Sequence, residues 1–152
     1  MDDIAFRLMH YGGRGFCCSQ ILLLLALETR GEENPGLVRA MAGLCNGLGD
    51  CSGPCGVLSG GACLLAYYAG KGSEDQQADE RLPLVISEFT DWFQETVGGA
   101  YGGVRCQDIL EAGNCGAPDP ARCGSIVGDA FTQCMEILVQ NGFDPTEPGA
   151  DA

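Results

Sequence analysis

Apolar residues recur every three to four positions in segment after segment of this 152-residue chain, and no stretch of useful length alternates apolar with polar side chains. That period matches one face of an α-helix and not a half-buried strand. The expected fold is therefore all-α, a compact bundle of about six or seven helices joined by glycine-rich loops. Glycine occurs 24 times without a three-residue period, so a collagen-like chain is excluded. The length fits one domain, expected over 1–143, with an acidic, proline-containing tail over 144–152.

The spacing predicts a first helix from Asp2 to Tyr11 with Ile4, Leu8 and Tyr11 on one face, ending at Gly12-Gly13-Arg14-Gly15. A second is expected from about Cys17 to Thr29. Ile21 to Leu27 is apolar all round, which marks it as the buried central element, and Gly31 ends it. Asn34 and Pro35 read as N-cap and first residue of a third helix reaching about Leu48. Pro54 is expected to open a fourth, small and apolar enough for close packing, up to Ala69. Ser73-Glu74-Asp75-Gln76 resembles a capping box and starts a segment that Pro83 either kinks or restarts, with the stripe Leu82, Val85, Ile86, Phe89, Trp92 and Phe93 beyond it. After a loop over Gly98 to Gly103 come a short helix at about Cys106 to Ala112 and, following Pro118-Asp119-Pro120, a long one to about Gln140. The long one carries Cys123, Val127, Ala130, Phe131, Cys134 and Leu138 on one stripe.

Twenty-one acidic residues against eight basic ones give a net charge of −13, so nucleic acid and anionic membranes are excluded as partners. The longest apolar runs, Ile21 to Leu27 and Val57 to Ala69, fall short of the roughly 18 residues of a spanning helix. Met1-Asp2-Asp3 is acidic where a targeting peptide is basic, and the expected location is the cytoplasm. A reducing cytosol disfavours structural disulfides. The ten cysteines are then expected to be thiols, cluster ligands or redox partners.

Four of them fall at predicted helix starts: Cys18, Cys55, Cys106 and Cys123. A helix start presents unpaired amides and positive dipole charge, which lowers a thiol pKa and favours an anion such as a tetrathiolate cluster. Arg14, Arg105 and Arg122 lie beside these cysteines, as ligand-directed or as plain surface cations. The glycines that approach them suit close backbone contact with a cluster, and equally suit ordinary helix-ending loops.

The other six cysteines read differently. Cys45 and Cys134 lie on apolar stripes and are expected in the core. Cys63, about 12 Å along the helix from Cys55, is expected to pack as well. Cys17 points about 100° away from Cys18 and so faces elsewhere. Cys51 and Cys55 form CSGPC, one residue longer than a CxxC motif, and Cys115 is a fifth ligand, a resolving thiol or an exposed bystander. His10 is the only histidine, which excludes histidine-rich metal sites.

Gly15-Phe16-Cys17-Cys18-Ser19-Gln20, Gly53-Pro54-Cys55-Gly56-Val57-Leu58-Ser59-Gly60, Cys106-Gln107-Asp108-Ile109-Leu110 and Cys123 before a final amphipathic helix together resemble the C_GCAxxG_C_C family of redox-active proteins. The resemblance spans about Gly15 to Leu138, and it departs from the name motif at Pro54 and Val57 and in its extra cysteines. It implies a small helical redox protein with Cys18, Cys55, Cys106 and Cys123 as the active positions. The family in turn resembles the non-haem part of split-Soret cytochromes, which carries an iron–sulfur centre. No CxxCH occurs in this chain, so haem is not expected.

Three functions follow as expectations. The first is an iron–sulfur protein in electron transfer with an oxidoreductase, [2Fe–2S] favoured over [4Fe–4S], with Cys18, Cys55, Cys106 and Cys123 as ligands. The second is a metal-free thiol–disulfide protein cycling Cys51 with Cys55 or Cys115 with Cys123. The third is structural zinc on the same four thiolates. A homodimer is permitted, and nothing in the sequence decides whether the protein is an enzyme.

Overall fold

The computed structural model describes residues 3–110, 115 and 120–147. At its centre lies α2, Cys18–Arg30, numbered after α1, Asp3–Gly12. The all-round apolarity of α2 serves two cores. Leu22, Leu25 and Ala26, fully buried, pack into the main cluster, while Leu23 and Leu27 enter a smaller one with Val38 and Met41. Gly31, in the left-handed conformation with φ 68°, ends the helix and returns its N–H to the Glu28 carbonyl. Ile4, Leu8 and Tyr11 of α1 lean on the main cluster, as their shared face predicts.

The third helix, α3, is Pro35–Met41, capped by the Asn34 side chain, which accepts from Leu37 N at 3.1 Å. It stops seven residues before the expected Leu48. A 3₁₀ turn, Ala42–Leu44, follows, and then Asn46, Gly47 and Leu48 all take positive φ, which no right-handed helix tolerates. Gly47 is where the chain has to turn: a β-carbon there would meet the Gly53 carbonyl oxygen at 2.7 Å and Cys106 Cβ at 2.8 Å.

Helix α4, Gly56–Ala69, begins two residues after the expected Pro54, because Pro54 is bridged to Arg105 and Cys55 N donates to the Val104 carbonyl at 2.8 Å. Its small residues permit the close packing expected of it, with Gly60 against Ser19 of α2 and Gly61 directly under the Phe89 ring. The segment beginning at Ser73 forms turns, and α5, Leu82–Phe93, starts afresh with Pro83 in its first turn. Val85, Phe89 and Phe93 of its stripe are wholly buried, and Ile86 and Trp92 pack beside them. Burying an aromatic such as Phe89 is worth roughly 2–3 kcal/mol. The chain runs on through a π-helical turn, Gln94–Gly98, and one more turn, Gly99–Tyr101.

A single turn, α6, Cys106–Ile109, ends at Leu110, whose backbone is extended. The expected continuation over 111–112 lies outside the described residues, as do Pro118 and Asp119. Helix α7, Pro120–Gln140, closes the bundle with Val127, Ala130, Phe131, Cys134 and Leu138 buried. Seven helices and no strand are found among the described residues. No helix among them is long and apolar enough to cross a membrane. Beyond α7, Tyr68 donates its hydroxyl to the Pro145 carbonyl at 2.8 Å, and Arg81 lies over the Phe143 ring; 148–152 lie outside the described residues.

Candidate redox site

Cys18 is the first residue of α2, Cys55 caps α4, Cys106 opens α6 and Cys123 lies in the first turn of α7. All four are free thiols. Short backbone bonds fix the middle two: besides the Cys55 bond to Val104, Cys106 N donates to the Gly53 carbonyl at 3.1 Å and Gly53 N to the Gly47 carbonyl at 3.0 Å. The loop from Cys45 to Gly53 is thereby laid against α6. Cys18 reaches the same place from α2, since a β-carbon on Gly56 would sit 2.8 Å from Cys18 Sγ and 2.9 Å from the Leu44 carbonyl oxygen. The start of α7 is tied in by Arg122, which donates to the Ile109 carbonyl at 2.8 Å.

The sulfurs lie close enough to feel one another's charge. Burial first, and then negative charge on Cys55, Cys123 and Cys106, push the Cys18 thiol up to about 12. The backbone N–H of Ser19 acts in the opposite sense. Cys55 is likewise held up by burial and by Cys106, against the N–H groups of Val57 and Leu58, and burial raises Cys106. For Cys18, Cys55 and Cys106 the expectation that helix starts depress the pKa is therefore overturned: backbone N–H groups favour the thiolate at Cys18 and Cys55, but loss of water outweighs them.

Of the three arginines, read either as ligand-directed or as surface cations, Arg14 and Arg105 have exposed side chains, and Arg122 is engaged with Ile109 and with the Tyr101 ring.

The remaining cysteines revise several expectations. Cys17 and Cys45 form a pair at disulfide distance, Cα to Cα 6.1 Å, so Cys45 is partly exposed beside Cys17 and not in the core. Cys51 is buried and pairs with Cys115 at a Cα separation of 5.9 Å. That corrects both expected pairings, Cys51 with Cys55 and Cys115 with Cys123, and it shows the fold accommodates disulfides. Cys51 itself takes a positive φ of 66°. Cys63 is exposed instead of packed, whereas Cys134 is completely buried, as its stripe position implies.

Sequence reasoning missed the Cys17/Cys45 pair, and with it Ser19, whose buried hydroxyl touches both sulfurs. No local spacing signals a contact across 28 residues.

Four thiols from four elements are the donor set that a tetrathiolate cluster requires, and the bare backbone at Gly47 and Gly56 leaves the approach to Cys106 and Cys18 free of side chains. Among the described residues, no three histidine, cysteine or carboxylate side chains converge as they would on a single metal ion.

A search of the curated proteins and one of the solved structures found no match. A family model described as "Putative redox-active protein (C_GCAxxG_C_C)" matches residues 16–137, a stretch that contains all four free thiols of this site. The match covers well over half of the chain, and the chain belongs to the C_GCAxxG_C_C family.

Proposed function

We propose that this protein is a small cytoplasmic iron–sulfur redox protein that exchanges electrons with an oxidoreductase, and that Cys18, Cys55, Cys106 and Cys123 hold its cluster. The observation that carries this reading is that four free thiols from four separate elements lie near enough for their charges to act on one another, with burial holding Cys18, Cys55 and Cys106 protonated. A reactive nucleophilic thiol needs the reverse, a depressed pKa. A bound cluster would supply one-electron redox chemistry, and four thiolates complete a [2Fe–2S] centre, which we favour over [4Fe–4S]. The chain's own part is to bring the sulfurs together, exclude water, and direct the N–H groups of Ser19, Val57 and Leu58 at sulfur.

Protein purified without oxygen should be coloured and contain iron and acid-labile sulfide, and replacing any one of the four cysteines by serine should strongly reduce both. A colourless, iron-free product after anaerobic reconstitution would sink the proposal. One equivalent of zinc without visible absorption would favour the structural-zinc alternative.

The Cys51/Cys115 pair favours a second reading, a metal-free protein that cycles this pair between dithiol and disulfide. Alkylation and mass measurement under reducing and oxidising conditions test it. Absence of a reversible change of about 2 Da at these two residues refutes it.

A further inference from the structure

Cys17 and Cys45 belong neither to the four-thiol site nor to the Cys51/Cys115 pair, yet they adjoin that site on both sides. Cys17 immediately precedes Cys18 in the chain. Cys45 reaches it through space, since the β-carbon position of Gly56 is 2.8 Å from Cys18 Sγ and 3.7 Å from Cys45 Cα. Both cysteines are partly exposed, so an external reagent has access to them.

Ser19 distinguishes this pair from an inert crosslink. Its hydroxyl is fully buried and donates to the Met41 carbonyl at 2.8 Å, which commits its one proton. Its oxygen lies 3.4 Å from Cys17 Sγ and 3.2 Å from Cys45 Sγ. With its proton committed, that oxygen can only accept from sulfur, and only a thiol has a proton to give. Cys45 Sγ also has the Met41 carbonyl at 3.9 Å as an acceptor. The dithiol state is therefore provided with partners, while the Cα separation of 6.1 Å suits the disulfide.

The two states can also share one backbone. The Ser19 bond to Met41 ties α2 to the turn before Cys45, and Cys17 N is held independently by Gln20 Oε1 at 3.2 Å. Breaking the sulfur–sulfur bond leaves both ties in place, so switching needs little rearrangement.

We infer that Cys17 and Cys45 form a second redox site, a reversible dithiol–disulfide couple that exchanges with small-molecule disulfides beside the four-thiol centre, with Ser19 as its positioning residue. In the oxidative direction one thiolate attacks an external disulfide R–S–S–R and releases one R–S⁻ as a mixed disulfide forms. The second protein thiolate displaces the other R–S⁻ and closes the Cys17/Cys45 bond. Two electrons leave the protein, and the two protons lost from its thiols end on the two R–SH products.

The test equilibrates the full-length protein without oxygen in dithiothreitol buffers of graded reduced-to-oxidised ratio, followed by acid quench, alkylation and peptide mapping with fragmentation to separate Cys17 from Cys18. The peptide linking Cys17 to Cys45 should appear and disappear reversibly with a two-electron midpoint, with or without iron reconstitution. Because the readout is a specific crosslink, it is independent of the cluster assay, and either can fail alone. Failure to find that crosslink at any ratio, its persistence in excess reductant, or pairing of Cys17 with another cysteine would overturn the proposal. Ser19→Ala should shift the midpoint toward the disulfide by about three- to tenfold in equilibrium constant, because only the dithiol loses its acceptor. An unchanged midpoint in a folded Ser19→Ala protein would remove Ser19 from the site.

Discussion

Replacing Gly61 by alanine sets two known effects against each other, and the structure decides which wins. In an open helix interior the change should stabilise by about 1 kcal/mol, because alanine loses less backbone entropy on folding. At Gly61 the new methyl would lie inside the contact distance of Phe89 Cε2 and Cζ. Phe89 is completely buried and cannot swing away, with Trp92 stacked 5.9 Å from it and Phe93 6.2 Å from it, centroid to centroid. Overpacking of a tight core costs about 1–3 kcal/mol. The net expectation is a loss of up to about 2 kcal/mol, or a fall in Tm of up to roughly 6 °C for a chain of this length. Gly124→Ala is the control: it lies in α7, a β-carbon there meets nothing within 4 Å, and it should raise Tm by a few degrees. Thermal unfolding followed by far-ultraviolet circular dichroism measures both. A Phe89→Leu background removes the offending ring atoms, so there Gly61→Ala should be close to neutral, a coupling of about 1 kcal/mol or more. A Gly61→Ala protein as stable as the Gly124→Ala control, or equally costly in both backgrounds, would refute the reasoning.

Four other outcomes are expected. Metal-free protein should lose stability as pH rises from about 9 to 12, because native Cys18 keeps its proton up to about 12 while the unfolded thiol releases it near 9; urea midpoints across that range measure the slope, and Cys18→Ser should reduce it without abolishing it, since burial raises Cys55, Cys106 and Cys134 as well. Asn34→Ala removes the cap on Leu37 N and should cost about 1 kcal/mol in a denaturant titration. Cys134→Ala, at a fully buried position, should cost about 1–3 kcal/mol, whereas Cys63→Ala, at an exposed one, should stay within about 0.5 kcal/mol. Gly56→Ala would push Cys18 Sγ and the Leu44 carbonyl apart, and on the proposed function it should lower the iron retained after reconstitution while leaving helix content intact.

Features set by a few adjacent residues were legible in the sequence. Asn34 and Pro35 start α3, Gly31 ends α2, and the stripe of α5 faces the core, because each depends on local backbone chemistry or on a 3.6-residue period. The same local logic put Cys18, Cys55 and Cys106 at or next to helix starts. What failed depended on partners distant in sequence. Nothing near Asn46 announces that Gly47 must lie against Gly53 and Cys106, so the third helix looked seven residues too long. Pro54 is a good first helical residue, but the bridge to Arg105 holds it in another conformation. The cysteine pairings were hidden for the same reason, since Cys17 meets Cys45 across 28 residues and Cys51 meets Cys115 across 64. The direction of the thiol pKa shifts was misread because the dipole of a helix start is local, while burial, the larger effect here, is tertiary.

The upward direction of these shifts bears on how such a site would work. Amides aimed at sulfur and burial around sulfur oppose each other while the thiols are neutral, and burial prevails. Place positive charge among the four sulfurs and the balance reverses: the thiolates no longer repel one another unscreened, and the N–H groups of Ser19, Val57 and Leu58 become charge-assisted donors, roughly twice as strong as to a neutral acceptor. The site then stabilises its anionic form only when a cation is present. Exposed low-pKa thiols would ionise and oxidise unaided, whereas burial holds Cys18, Cys55 and Cys106 neutral. On this reasoning the −13 net charge of the chain works with the site and not against it, because it disfavours loose anionic oxidants near the sulfurs while leaving the attraction for metal cations unopposed.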